Sequence, residues 1–170
     1  MPYTTLTTLF LLAAAVLCAQ EGPANTEAEF QQQYQERITK ETLNGVYIPK
    51  NLDDAMLELD KRISPESRAI FKAIPEDSVC LRMHQRLGTW MILNWGFYGG
   101  SRLSHYLRSA GITFPDDMAD FLLIAYHKRL NGKPIPVKDL AVEFQEKRRK
   151  EHQERLKKGE VLYEETRKKN

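Results

Sequence analysis

Cysteine is nearly missing from this chain: there are two among 170 residues, Cys18 and Cys80. That scarcity excludes a disulfide-stapled scaffold. A long apolar run is missing too. The one sustained stretch, Leu6 to Ala19, would span about 21 Å as a helix at ~1.5 Å per residue, too short for the hydrocarbon core of a bilayer, so no transmembrane span is expected. Charge of one sign is not in excess: 25 basic side chains face 23 acidic ones, for a formal net charge of +2. A nucleic-acid binder carries a stronger basic excess gathered into a stripe, so no nucleic-acid partner is expected. The chain also lacks HExxH and CxxC spacings and a Gly-x-Ser-x-Gly elbow, which removes the sequence support for a zinc site or for an esterase-type nucleophile. No cofactor is implied. Strict apolar–polar alternation, internal repeats and low-complexity tracts are missing as well, so no strand is expected.

What is present begins with a leader. Leu6–Ala19 has the length of a signal-peptide h-region, and no charged side chain precedes Glu21. A cut after Ala19 leaves Gln20 as the new N-terminus and a periplasmic or secreted chain. Lipidation at Cys18 is the alternative, and Leu17 immediately before it is too large for that processing. The remaining length suits one domain. Residues 1–19 read as signal peptide, 20–45 as a polar linker with an N-terminal helix, 46–135 as a helical core, and 136–170 as a charged C-terminal helix and tail.

The fold class expected is all-α, a bundle of five to six short helices with a charged C-terminal helix. Asn44-Gly45 reads as the close of the N-terminal helix, with Gly45 in the left-handed position. Asn51 caps a helix whose stripe is Leu52, Ala55, Met56, Leu59 and Ile63. Ser64-Pro65 starts another, with Ala69, Ile70, Ala73 and Ile74 as its buried face. Pro75 to Asn94 forms a longer helical segment, divided near Gly88, whose apolar set includes Val79, Leu81, Met91 and Leu93. Ser101 caps a helix ended by Gly111, and Pro115 opens one that closes at Asn131-Gly132. From Val137 to Lys158 the pairs Glu143–Lys147, Glu146–Lys150 and Glu151–Arg155 support an exposed, solvated helix.

The densest unusual stretch runs from Leu87 to Leu103 and holds Trp90, Asn94, Trp95, three of its glycines in Gly96, Gly99 and Gly100, then Ser101 and Arg102. Free N–H groups at the Ser101 helix start, with Arg102 beside them, suit an anion. The plainer reading makes the aromatics core and pairs Arg102 with Asp116 or Asp117, the carboxylates that open the next helix. Three segments carry a resemblance: Ile48-Pro49-Lys50-Asn51-Leu52-Asp53-Asp54; Leu87-Gly88-x-Trp90 with Asn94-Trp95-Gly96 and Gly100-Ser101-Arg102-Leu103; and Pro115-Asp116-Asp117-Met118 with Tyr126-His127 and Leu130-Asn131-Gly132. In order and spacing they resemble a bacterial family, the domain of unknown function 6794, over about residues 46–135. The resemblance implies a compact helical domain and carries no activity with it. Where the family pattern has Trp after Gly96-Phe97, this chain has Tyr98.

Four histidines and Cys80 invite a metal reading, with Cys80 and His84 one turn apart and His105 and His127 on other helices, but core or surface roles suit them better. The functional expectation is a non-catalytic binding or interaction protein, of inhibitor or immunity type, whose partner is another protein. Its candidate surface comprises Trp90, Asn94, Trp95, Ser101, Arg102, His105, Asp116, Asp117 and His127. The alternative is a small hydrolase or anion-recognising enzyme built from Ser101, Arg102, His105 and Asp116.

Overall fold

The computed structural model describes residues 24–168. The leader, the Cys18 alternative and the cut before Gln20 lie outside the described residues. The fold is all-α apart from one two-stranded hairpin.

Helix α1 (Glu27–Arg37) starts at a reciprocal capping box, with the Thr26 hydroxyl accepting from the Glu29 N–H and the Glu29 carboxylate reaching back to the Thr26 N–H. It buries none of its residues. Asn44-Gly45, expected to end that helix, instead turns an antiparallel hairpin, β1 (Thr42–Leu43) with β2 (Val46–Tyr47). Both turn residues have positive φ, 50° and 76°, as a tight primed turn requires. Asn-Gly satisfies either demand. The helix had already ended at Arg37, leaving the pair free to reverse the chain.

Helix α2 (Leu52–Arg62) is capped by Asn51, which accepts from the Asp54 N–H at 3.0 Å, and buries Leu52, Ala55, Met56 and Leu59 as expected. Helix α3 (Pro65–Lys72) begins on the Ser64 cap. Its inward residues are Phe71 and the following Ile74; Ala69, Ile70 and Ala73 are exposed, contrary to the expected stripe. Choosing Phe71 shifts the face by one residue and buries the largest side chain available.

The segment from Glu76 to Asn94 is one interrupted rod: a 3₁₀ turn at Glu76–Ser78, α4 (Val79–Met83), a π-helical turn at His84–Gly88, and α5 (Thr89–Asn94). The Thr89 hydroxyl donates to the His84 carbonyl at 3.2 Å across the π turn. Because each residue advances an α-helix by ~100°, the wider turn changes the phase between α4 and α5. A single continuous stripe therefore fails here. Val79, Met91 and Ile92 are buried, whereas Leu81 and Leu93 are 85% and 66% exposed.

Helix α6 (Arg102–Ser109) follows, and then α7 (Pro115–Leu130), around which the molecule is organised. Helix α7 buries Met118, Phe121, Leu122, Leu123, Ala125 and Tyr126, residues that go most of the way round its axis, and it packs against α2, α3, α4, α5, α6 and α8. The Tyr126 hydroxyl donates to Asp60 at 3.0 Å, and burial together with that bond pushes its pKa upward. Helix α8 (Val137–Lys168) docks Leu140 and Ala141 in the core and packs Phe144 against it; residues 152–158 are all exposed.

Candidate functional site

Trp95 and Phe97 go into the core, where they close a chain of ring contacts: Trp90 meets Trp95 edge-on at 5.6 Å, and Trp95 meets Phe97 at 6.4 Å. Trp90 is half-buried beneath the Arg62 guanidinium at 4.8 Å. Asn94 donates to the Trp90 carbonyl at 2.9 Å and so closes its own helix. The aromatic candidates are thus mainly structural.

The glycines that follow make a surface. Gly96 and Gly100 have φ of 66° and 89°, and together with Gly99 they present backbone where other residues would present side chains. Helix α1 lies on that backbone. A Cβ placed on Gly100 would stand 2.3 Å from the Tyr34 ring, and one on Gly99 3.2 Å from the Arg37 guanidinium. Arg37 Nε donates to the Gly100 carbonyl at 3.0 Å, and the Tyr34 hydroxyl and His105 Nδ1 share a hydrogen bond at 2.9 Å. Neither Tyr34 nor Arg37 was among the expected site residues. The readable signal was their spacing of one helical turn on a largely polar helix.

Ser101 is fully buried and its hydroxyl accepts from the Ser104 N–H, while Ser104 answers the Ser101 N–H at 2.8 Å. The Ser101 hydroxyl therefore serves the cap, His105 turns outward to Tyr34, and Asp116 lies 3.7 Å from His84. Serine, histidine and aspartate are not assembled into a relay.

Arg102 departs from the expected pairing. Its Nε donates to the Ile48 carbonyl at 2.6 Å, its Nη1 stands 3.4 Å from the exposed Glu41 carboxylate, and its guanidinium covers the Tyr47 ring at 5.0 Å. Nη2 is buried without a hydrogen-bond partner among the described residues. The unexpected hairpin explains the change, since it carries Tyr47 and Ile48 onto the start of α6. Tyr47 in turn donates to Asp54 at 2.8 Å, and the Lys50 N–H donates to the same oxygen at 2.9 Å. Burial works against the Asp54 anion, but the Lys50 N–H and the Tyr47 hydroxyl hold its pKa below the ordinary value.

Asp117 pairs instead with Arg148 of α8, in a two-pronged contact of 2.6 and 2.7 Å. Asp117 is buried, and the same guanidinium rests over Phe114 at 4.5 Å beside a cleft of about 190 Å³ that also touches Gly111 and Gln145. The hydrogen bonds that Arg148 donates to the Asp117 carboxylate raise its pKa against the opposing effect of burial. His127 is buried, with Nε2 against the Ile74 carbonyl at 2.8 Å and Nδ1 unpartnered among the described residues. His84 Nδ1 lies 2.6 Å from Asp120, and the neighbouring Cys80 thiol is pushed up to about 12 by burial and by Asp120. Among the described residues, no three His, Cys, Asp or Glu side chains are placed to hold a metal ion.

Residues 48–130 match the family model for the domain of unknown function 6794. The chain carries a domain of this family. No curated protein and no solved structure matches the chain. Within the domain of unknown function 6794 lie the glycine surface, Ser101, Arg102 and both aspartates; α1, the hairpin and α8 lie outside the matched residues. The domain therefore supplies the corner and the flanking segments supply what touches it.

Proposed function

We propose that this is an exported, non-catalytic interaction protein that docks another protein along the outer face of α8. The carrying observation is that face. Leu140, Phe144 and Arg148 hold α8 to the domain, while Val142 and Leu156 are 51% and 55% exposed. Fourteen residues (156 − 142) amount to nearly four helical turns, so the two lie within about 40° of each other, on the side away from Leu140. Two apolar side chains at twice a heptad spacing, framed by charges of both signs, suit a partner helix laid alongside. The separation of Ser101, His105 and Asp116 supports the non-catalytic part of the reading, and the Leu6–Ala19 run supports export.

The test is photo-crosslinking from position 156 in the full chain, with exposed Ser67 on α3 as the control position. We expect a second polypeptide attached through position 156 and none through position 67. Equal or no attachment from both positions would reject the reading. For export, mass analysis of the periplasmic protein should find Gln20 first, and intact Met1 there would overturn it.

A further inference from the structure

We propose that the surface made by Gly96, Gly99 and Gly100 is an exchange site: α1 covers it within one molecule, and the same helix of a second copy takes its place. The proposal is independent of the α8 reading and rests on three observations.

First, the site is shaped for a particular pair of groups. Gly100 admits a tyrosine ring where any side chain would collide at 2.3 Å, and Gly99 admits a guanidinium at 3.2 Å. The Gly100 carbonyl and His105 then supply one acceptor for Arg37 and one partner for the Tyr34 hydroxyl. An aromatic ring and an arginine one helical turn apart satisfy all of this together. Second, the present occupant is lightly held. Helix α1 buries no residue, and its start is secured by its own Thr26–Glu29 box rather than by the domain. It can keep its helical start while leaving the surface. Third, the site and its cover belong to different parts of the chain. The glycines lie inside residues 48–130 and α1 outside them, joined through the short run Ile38–Glu41 and the hairpin.

A site that fits a segment of its own chain fits the same segment of another copy equally well, which is the condition for exchange. Within one chain the cover enjoys a high effective concentration, so wild-type monomers remain closed when dilute. The second copy is the occupant the residues specify, because Tyr34 and Arg37 already match the site.

Two full-length variants separate the halves. Tyr34→Ala/Arg37→Ala keeps the surface and disables the cover; Gly99→Ala obstructs the guanidinium seat and keeps the cover, at a position without positive φ. Gly99→Leu is the bulkier companion should alanine be accommodated. Thermal melts first establish that each variant is folded. The ¹⁵N-labelled double-alanine variant is then titrated with unlabelled Gly99→Ala or Gly99→Leu. We expect the Gly99 and Gly100 amide signals to return toward their wild-type positions in a saturable manner. Unlabelled double-alanine protein, which offers no intact cover, should move them at least tenfold less at equal concentration. Folded variants whose signals stay fixed through millimolar addition, or move equally with both titrants, overturn the proposal.

Discussion

Replacing Arg148 by alanine gives the sharpest test of how α8 is fixed to the domain. The guanidinium reaches Asp117 through two hydrogen bonds of 2.6 and 2.7 Å, and the Asp117 side chain is 3% exposed against 30% for Arg148. Removing one partner of a fully buried pair costs ~3–5 kcal/mol, because the other charge is left desolvated. Two effects reduce that figure here. Arg148 retains partial contact with water, and Asp117 stands in the first turn of α7, where free N–H groups and the helix dipole favour an anion. Loss of the guanidinium from the Phe114 ring restores about 0.5–1 kcal/mol to the loss. The expected destabilisation is about 2–3 kcal/mol, or a fall in Tm of roughly 5–10 °C for a domain of this size. Urea and thermal melts of Arg148→Ala, Asp117→Ala and the double variant measure it. The double variant should lose much less than the sum of the single losses, with a coupling of at least about 1 kcal/mol. Arg148→Lys should recover part of the loss, since an ammonium cannot reproduce both prongs. Additive losses, or an Arg148→Ala protein within about 0.5 kcal/mol of wild type, would refute the assignment.

Arg102→Ala should destabilise by about 1–3 kcal/mol through loss of the Ile48 carbonyl contact, with no coupling to Asp116→Ala or Asp117→Ala in double-variant melts. A coupling above about 1 kcal/mol to either aspartate would contradict the observed geometry. Glu76 is held down to about 2 by hydrogen bonds from Lys128 and Lys133. A carboxylate depressed on folding stabilises fully above its unfolded pKa and loses that contribution as pH falls through the folded value. The advantage of wild type over Glu76→Gln should therefore shrink steadily from about pH 5 and be gone only below about pH 2. Because Glu76 is more than a third exposed, the advantage should stay under about 1 kcal/mol, and a gap that is as large at about pH 2 as at about pH 7 would exclude this cause. In the chain starting at Gln20, Cys80 should react with a disulfide reagent at pH 8 at least about 100-fold more slowly when folded than in denaturant, given a thiol pushed up to about 12. Equal rates would show that the thiol is open to solvent.

Local signals were readable where one residue type satisfies one demand. Asn51, Ser64 and Ser101 each cap the helix they were expected to cap, and Pro115 opens α7. Asn44-Gly45 was ambiguous because a helix end and a primed turn both ask for left-handed residues. That ambiguity propagated to the site: without the hairpin, the Ile48 carbonyl is not beside Arg102, and the nearest acidic residues along the chain look like its partners. The true partner of Asp117 lies 31 residues away on a helix whose charges read as solvated, so spacing could not reveal it. Likewise, Tyr34 and Arg37 became meaningful only once three glycines were brought beneath them.

The π turn at His84–Gly88 makes residue number, as well as residue type, part of the fold's specification. Five residues of a π turn sweep about the same angle as four of an α-helix, so removing one residue from it would let α4 and α5 join as an ordinary helix with both keeping the faces they now present. Val79 would stay in the core and Leu81 in solvent. A deletion of the exposed Gln85 is thus absorbed by the turn, whereas a deletion within α5, where there is no extra residue to give up, would turn every side chain before it by ~100°. Alignment of related chains through this segment is therefore a matter of counting, and a one-residue gap at the turn marks an uninterrupted helix with the same faces inward.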